Sequence, residues 1–124
     1  ITIHATLTRE TEHLIGEEEL KLMKRSAFIV NTARGAIIDE KALIKVLREG
    51  WIAGAALDVF EEEPPKPDNP LLKMNNVLVT PHFASCTYEA YRREAFMAVE
   101  DVLRVLQGKK PKFVANPKVF SKLI

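Results

Sequence analysis

The sequence predicts an α/β domain organised as a doubly wound parallel sheet. Three short runs, Ala27 to Asn31 (AFIVN), Ala53 to Phe60 (AGAALDVF) and Val77 to Thr80 (VLVT), are continuously apolar and in part β-branched. That is the pattern of parallel strands buried on both faces. Between the first two lies a helical stripe, Leu43, Val46 and Leu47, and such strand–helix–strand order requires a parallel crossover. With 124 residues, 47% of them hydrophobic, the chain can bury one core, and two full domains are not expected.

The elements follow in order. Ile1, Thr2 and Ile3 read as a strand already in progress, so residues are expected to be missing before position 1. Helix formers from Glu17 to Arg25, with Leu20 and Met23 three apart, predict a short surface helix. TARGAIIDE is a turn with one glycine, Asp39 is placed to cap a helix running to Glu49, and Gly50 is placed to stop it. Small residues in the 53–60 strand allow a helix to pack closely. EEEPPKPDNP holds four of the seven prolines, whose fixed φ and missing amide donors predict an exposed, stiff loop. From Thr87 to Gln107 a long amphipathic helix is expected, with Tyr91, Ala95, Val99, Val102 and Leu106 on one side and Gly108 at its end. The tail KKPKFVANPKVFSKLI is expected to lie along another surface without forming its own element.

Eighteen basic and seventeen acidic residues, interspersed, give a formal charge of +1 and predict neither a nucleic-acid nor a membrane partner. No apolar run approaches the roughly 20 residues of a spanning helix. The single cysteine, Cys86, excludes an internal disulfide framework, and a cytoplasmic address is the expectation.

In an open parallel sheet ligands bind beyond the carboxyl ends of the strands. There the sequence places Thr32, Ala33 and Arg34 after the first run, Asp58 and then Glu61, Glu62 and Glu63 at the second, and Pro81 and His82 after the third. Read singly, each has a plain structural explanation: Arg34 as a turn or surface partner, Glu61 to Glu63 as a solvated patch, and His82 as either a structural or a catalytic residue. Asp58 is costly in an apolar strand unless something polar satisfies it, and a ligand amide could do so. Their convergence on one edge matches reduction of a 2-oxo acid, in which a guanidinium holds the carboxylate and a histidinium protonates the carbonyl oxygen. His4 also follows a strand and could line this edge, while His13 reads as surface. Neither has metal-ligand spacing, and no metal site is expected. Cys86, four residues after His82, lacks the third partner of a thiol protease and reads as a packed small side chain.

LTRETEHLIG, LKLMKRSAFIVNTARGAIIDEKAL, GWIAGAALDVFEEEP and NPLLKMNNVLVTPHFAS together resemble the D-isomer-specific 2-hydroxyacid dehydrogenases, from residue 1 to about residue 108. The resemblance implies that residues 1–108 are the C-terminal part of a Rossmann-type NAD(P)-binding domain, and 109–124 a tail returning toward the substrate domain. It implies Arg34 as the residue that binds substrate carboxylate and carbonyl, His82 as acid/base, and Glu63 as its carboxylate partner. For the cofactor, NAD or NADP, it implies contacts from Ala5, Thr6, Thr32, Ala33, Arg34, Asp58, His82, Ala84 and Ser85. Where many relatives carry a glycine, Ala84 and Ser85 still leave room for a nicotinamide. The family's glycine-rich phosphate turn and its NAD/NADP-selecting residue do not occur in this sequence.

The activity implied is hydride transfer between NAD(P)H and a 2-oxo/2-hydroxy acid such as glyoxylate or hydroxypyruvate, with phosphoglycerate dehydrogenase-like activity as a close competitor. Two alternatives stand beside it. One is an NAD-sensing, corepressor-like interaction protein of the same fold, and the other a catalytically inert fragment. Relatives imply a homodimer in the intact parent, and exposed apolar faces on a half-domain would favour self-association.

Overall fold

The computed structural model describes residues 1–122, with side-chain surroundings through Phe120. Four strands, β1 (Thr2–Ile3), β2 (Phe28–Asn31), β3 (Gly54–Leu57) and β4 (Val77–Val79), pair in that order in one sheet. All three pairings are parallel, with Val30 opposite Ala56 and Ala56 opposite Leu78 at the centre. Helices α1 (Glu17–Lys21) and α2 (Glu40–Arg48) precede β2 and β3, and α3 (Tyr88–Leu106) follows β4. The chain divides into two compact units, Ile1–Ala84 and Ser85–Ile124.

In the first unit the core joins Leu20 of α1 and Leu43, Val46 and Leu47 of α2 to Ile3, Ile29, Ala55 and Leu57, one alternating set of strand side chains. Helix α2 forms there because its apolar positions recur at helical spacing and its free amides are met: the Asp39 carboxylate accepts from the N–H groups of Lys41 and Ala42. It stops at Gly50, whose φ of +66° is open to glycine at no steric cost. At the front of α1, Glu19 reaches back to accept the Gly16 amide, 2.9 Å away.

The elements are shorter than the sequence predicts, for local reasons. Helix α1 ends at Lys21 instead of Arg25, and the 53–60 strand ends at Leu57. The parallel ladder nevertheless runs one step further, since the Asp58 amide donates to Asn31 O and the Thr80 amide to Leu57 O. Burial on both faces does not hold within this unit: Ile29 and Asn31 are buried, whereas Phe28 is exposed and Val30 half-buried. Leu78 of β4 is exposed as well.

In the second unit α3 is capped by the Thr87 hydroxyl, which accepts the Ala90 amide. Gly108, at φ +72°, follows its C-terminus. The stripe expected on one side of it stays open, with no α3 residue buried. The tail does form an element, a 3-10 turn over Pro117–Lys122, and it is tied to α3 because Asp101 accepts the amides of Lys112 and Phe113. The last two tail residues lie outside the described residues. Among the described residues no helix is long and apolar enough to cross a membrane.

Removing the α2 cap with Asp39→Ala should cost about 1 kcal/mol, and opening the core with Leu43→Ala about 2–5 kcal/mol. Urea unfolding followed by circular dichroism checks both, and equal midpoints would contradict this account of α2.

Candidate active site

Two buried polar residues, Asn31 and Asp58, sit at the carboxyl ends of β2 and β3. Each organises the loop that carries a reactive side chain. The Asn31 amide donates to Arg34 O at 2.9 Å, and its oxygen accepts the Ala33 amide at 3.0 Å. The TAR turn is therefore closed on the end of β2, and Arg34 leaves it in an extended conformation with an exposed side chain whose Nη1 touches Ala33 O.

Asp58 accepts three bonds, from the Thr80 hydroxyl, the Phe83 amide and the Ala84 amide. Between these donors His82 takes a left-handed φ of +59°, rare for a residue with a side chain, and the following amides point back to the carboxylate. Burial alone would raise the Asp58 carboxyl, but these three bonds and the charge of His82 outweigh it and hold the group below its ordinary value. A ligand amide is therefore not required to satisfy Asp58, and a carboxylate holding three bonds keeps room for a further donor. The chain supplies the partners, and Asp58 acts as the staple of the loop bearing His82.

The acidic run separates into three individual pairings. Glu61 pairs with His13, Glu62 with Lys66, and Glu63 with His82, where Oε2 lies 2.8 Å from Nδ1. The other Glu63 oxygen accepts the Phe60 amide at 3.0 Å. Burial would raise the Glu63 carboxyl, yet the His82 bond, the Phe60 amide, and the charges of His82 and Arg34 together lower it. Glu63 is held as an anion, so it accepts from a protonated Nδ1 and leaves Nε2 as the ring's exchangeable position.

Gly35 explains how these loops come so close. A Cβ at Gly35 would lie 1.9 Å from the carbonyl carbon of Phe60, so only glycine lets the turn after Arg34 rest against the backbone leading to Glu63.

Two clefts open along this edge. One, of about 510 Å³, is bounded by Asp58, Glu63 and His82 with Phe60, Leu72 and Val79. The other, of about 500 Å³, is lined by His4, Ala5, Thr6, Thr32, Ala33 and Arg34. Its size is that of ordinary ligand pockets, and its Thr6 and Thr32 hydroxyls and Arg34 guanidinium are groups that could hold a polar ligand. The structure thus gathers the residues expected from the first two strand ends in one cleft and His82 with Glu63 at the other. Ala84 is exposed and tied to Asp58 through its amide. Ser85 is exposed at the start of the second unit. His4 lines the second cleft and bonds the Thr2 hydroxyl, whereas His13, read as surface, is exposed but engaged by Glu61. Cys86 is half-buried and receives the Tyr91 hydroxyl at 3.0 Å.

Sequence reasoning passed over Asn31 and Thr80. The argument that singled out Asp58, a polar side chain closing an apolar strand, applies equally to Asn31.

Fold and site define a parallel α/β domain with two clefts at the carboxyl edge of its sheet, a guanidinium lining one and a carboxylate-bound imidazole the other. The family described as "D-isomer specific 2-hydroxyacid dehydrogenase, NAD binding domain" matches residues 1–84, the span of the first unit, and the chain belongs to that family. It is 52% identical to a glyoxylate reductase of Thermofilum pendens, over 96% of this chain and 35% of that protein. To a D-3-phosphoglycerate dehydrogenase of Methanocaldococcus jannaschii it is 53% identical, over 94% of this chain and 22% of that one. Among solved structures, the NAD-complexed D-isomer specific 2-hydroxyacid dehydrogenase of Lactobacillus delbrueckii ssp. bulgaricus superposes with a TM-score of 0.83 at 37% identity, covering 93% of this chain and 39% of that one. The chain spans about a third of the length of the glyoxylate reductases it matches.

Asp58→Asn should destabilise the chain by about 1.5–3 kcal/mol at neutral pH, because charge-assisted bonds are lost and an amide donor faces donors. The folded pKa of Asp58 is depressed, so its contribution is complete above the ordinary aspartate value and lost as pH falls through the folded one. Urea unfolding at pH 7 and pH 3 should show the gap between Asp58→Asn and wild type narrowing in acid; a constant gap would remove Asp58 as a charged staple.

Proposed function

We propose that this chain is part of an oxidoreductase moving hydride between NAD(P)H and a small 2-oxo/2-hydroxy acid, with glyoxylate or hydroxypyruvate as first substrates to test. The observation that carries the reading is the His82–Glu63 pair, 2.8 Å apart, on the same sheet edge as Arg34. In this reading residues 1–108 are the C-terminal part of the NAD(P)-binding domain, and 109–124 return toward the substrate domain. The parent is cytoplasmic and homodimeric, as inferred from resemblance to its relatives.

By the resemblance Ala5, Thr6, Thr32 and Ala33 would hold the nicotinamide end, with Arg34, Asp58, His82, Ala84 and Ser85 beside it. Once bound, the cofactor supplies or takes up the hydride. The remaining steps belong to side chains. Arg34 holds the substrate carboxylate through paired N–H donors and fixes which face of the carbonyl is presented. Glu63 accepts from His82 Nδ1, which orients the ring so that Nε2–H faces the carbonyl oxygen. In reduction His82 gives that proton to the oxygen as it becomes a hydroxyl, and in oxidation neutral Nε2 takes it back. The likeness to a D-3-phosphoglycerate dehydrogenase makes a phosphorylated 2-hydroxy acid the second substrate class to test.

In the full-length parent, His82→Asn should lower kcat by about 10²–10⁴-fold. Arg34→Ala should raise KM and lower kcat/KM by about 10–100-fold, the worth of a charge-assisted contact. Loss of NADH and NADPH absorbance with glyoxylate and hydroxypyruvate, alongside intact mass of the same sample, measures both. Turnover unaltered in the two variants would sink the mechanism.

A further inference from the structure

We infer that Glu40 is a positioning residue for the Glu63–His82 pair, acting through the Phe60–Glu61 peptide; the inference rests on the proposed role of that pair. Glu40 is the first residue of α2, in a place where acidic residues commonly serve the helix dipole. That task is already covered here, because Asp39 caps the helix and takes the amides of Lys41 and Ala42. The Glu40 carboxylate instead turns outward to two partners on another segment. Its Oε2 accepts the Glu61 amide at 3.2 Å, and its Oε1 accepts the Asn69 side-chain amide at 2.7 Å.

What it grips is the strip of backbone that aims Glu63. The Phe60 amide holds Glu63 Oε1, leaving Oε2 for His82, and Glu61 is the next residue along. Gly35 closes this strip from beneath, since a Cβ there would meet Phe60 C at 1.9 Å and Glu61 N at 2.4 Å. On another side His13, whose own amide donates to Ala36 O, engages the Glu61 carboxylate. Among the described residues only Glu40 reaches the Glu61 amide with an acceptor, and Asn69 in turn caps the Pro70–Lys73 turn by accepting the Leu71 amide. Two loops meet on one carboxylate. Without it the Glu61 amide loses its acceptor, a cost that displacing the peptide toward water relieves, and Glu63 moves with the peptide.

The groups facing Glu63 are the Phe60 amide, His82 and Arg34, so its titration reports whether it remains aimed. The test is NMR of the 124-residue chain with 13C-labelled glutamate carboxyls and 15N-labelled histidine rings, comparing wild type, Glu40→Ala, Glu40→Gln, Asp39→Ala and Glu63→Gln. In Glu40→Ala the Glu63 midpoint should rise toward the ordinary glutamate value of about 4.3, and the hydrogen-bonded signature of His82 Nδ1 should weaken. Glu40→Gln, which keeps one acceptor oxygen, should restore part of both. Asp39→Ala, which weakens the same helix end without touching Glu61, should leave both readings at wild type despite its lower stability. Should Glu40→Ala fail to fold, Glu40→Asp, whose shorter side chain draws the carboxylate back from the Glu61 amide, takes its place.

A Glu63 titration unchanged in Glu40→Ala, or in Glu40→Asp where that decides, while Glu63→Gln abolishes the His82 signature, overturns the inference and leaves the proposed function standing. A His82 signature indifferent to Glu63→Gln overturns the pair itself, and the inference falls with it.

Discussion

Everything reactive in this molecule depends on polar side chains at the ends of apolar strands finding partners within the chain. An unpaired amide or carboxylate at the rim of the core would cost several times the net worth of one hydrogen bond. Asn31 and Asp58 meet this constraint by closing the next loop upon themselves, and neither leaves a buried donor or acceptor unmet. The same bonds that remove the penalty set the positions of Arg34 and His82. Site geometry is thus a by-product of polar satisfaction at the strand ends, and it is rigid for the same reason.

Carboxylates in the site serve two different ends. Asp58, almost fully enclosed, spends its bonds on one hydroxyl and two backbone amides and has a structural task. Glu63, with 38% of its side chain exposed, faces the cleft and shares itself between a backbone amide and the His82 ring. Burial disfavours the anion in both, and in both the donors more than compensate. What separates them is the kind of donor: backbone amides cannot move a proton, whereas an imidazole can. Of three successive glutamates only Glu63 meets such a partner in the cleft, because the backbone at Phe60 and Glu61 is pressed onto Gly35 and turns the third one inward.

Large apolar side chains remain open on both units: Phe28 and Leu78 on one face of the sheet, and Tyr91, Val99, Val102 and Leu106 along α3. Alternation along β2 shows the consequence, with Ile29 and Asn31 packed beneath the helices and Phe28 on the opposite face. Continuous apolar composition in these strands predicts cover on both sides, and the elements of Ile1–Ala84 leave Phe28 and Leu78 exposed. This agrees with a chain spanning about a third of its relatives.

From the sequence by itself came the parallel α/β class, the strands along the chain, the Asp39 cap, the stop at Gly50 and the convergence of Arg34, an acidic run and His82 on one edge, from which the family resemblance picked out Glu63. These rest on local signals, apolar runs, cap and turn residues and motif spacing, which act over a few residues and survive in one dimension. Only the tertiary structure decided that Asp58 finds three partners within the chain, that Glu63 divides its oxygens between the Phe60 amide and His82, and that Asn31 and Gly35 shape the site. Those outcomes turn on contacts between segments distant along the chain, such as Glu63 with His82, and on a backbone approach that excludes a single Cβ. A sequence names the groups able to bond; the folded chain decides which of them are within reach.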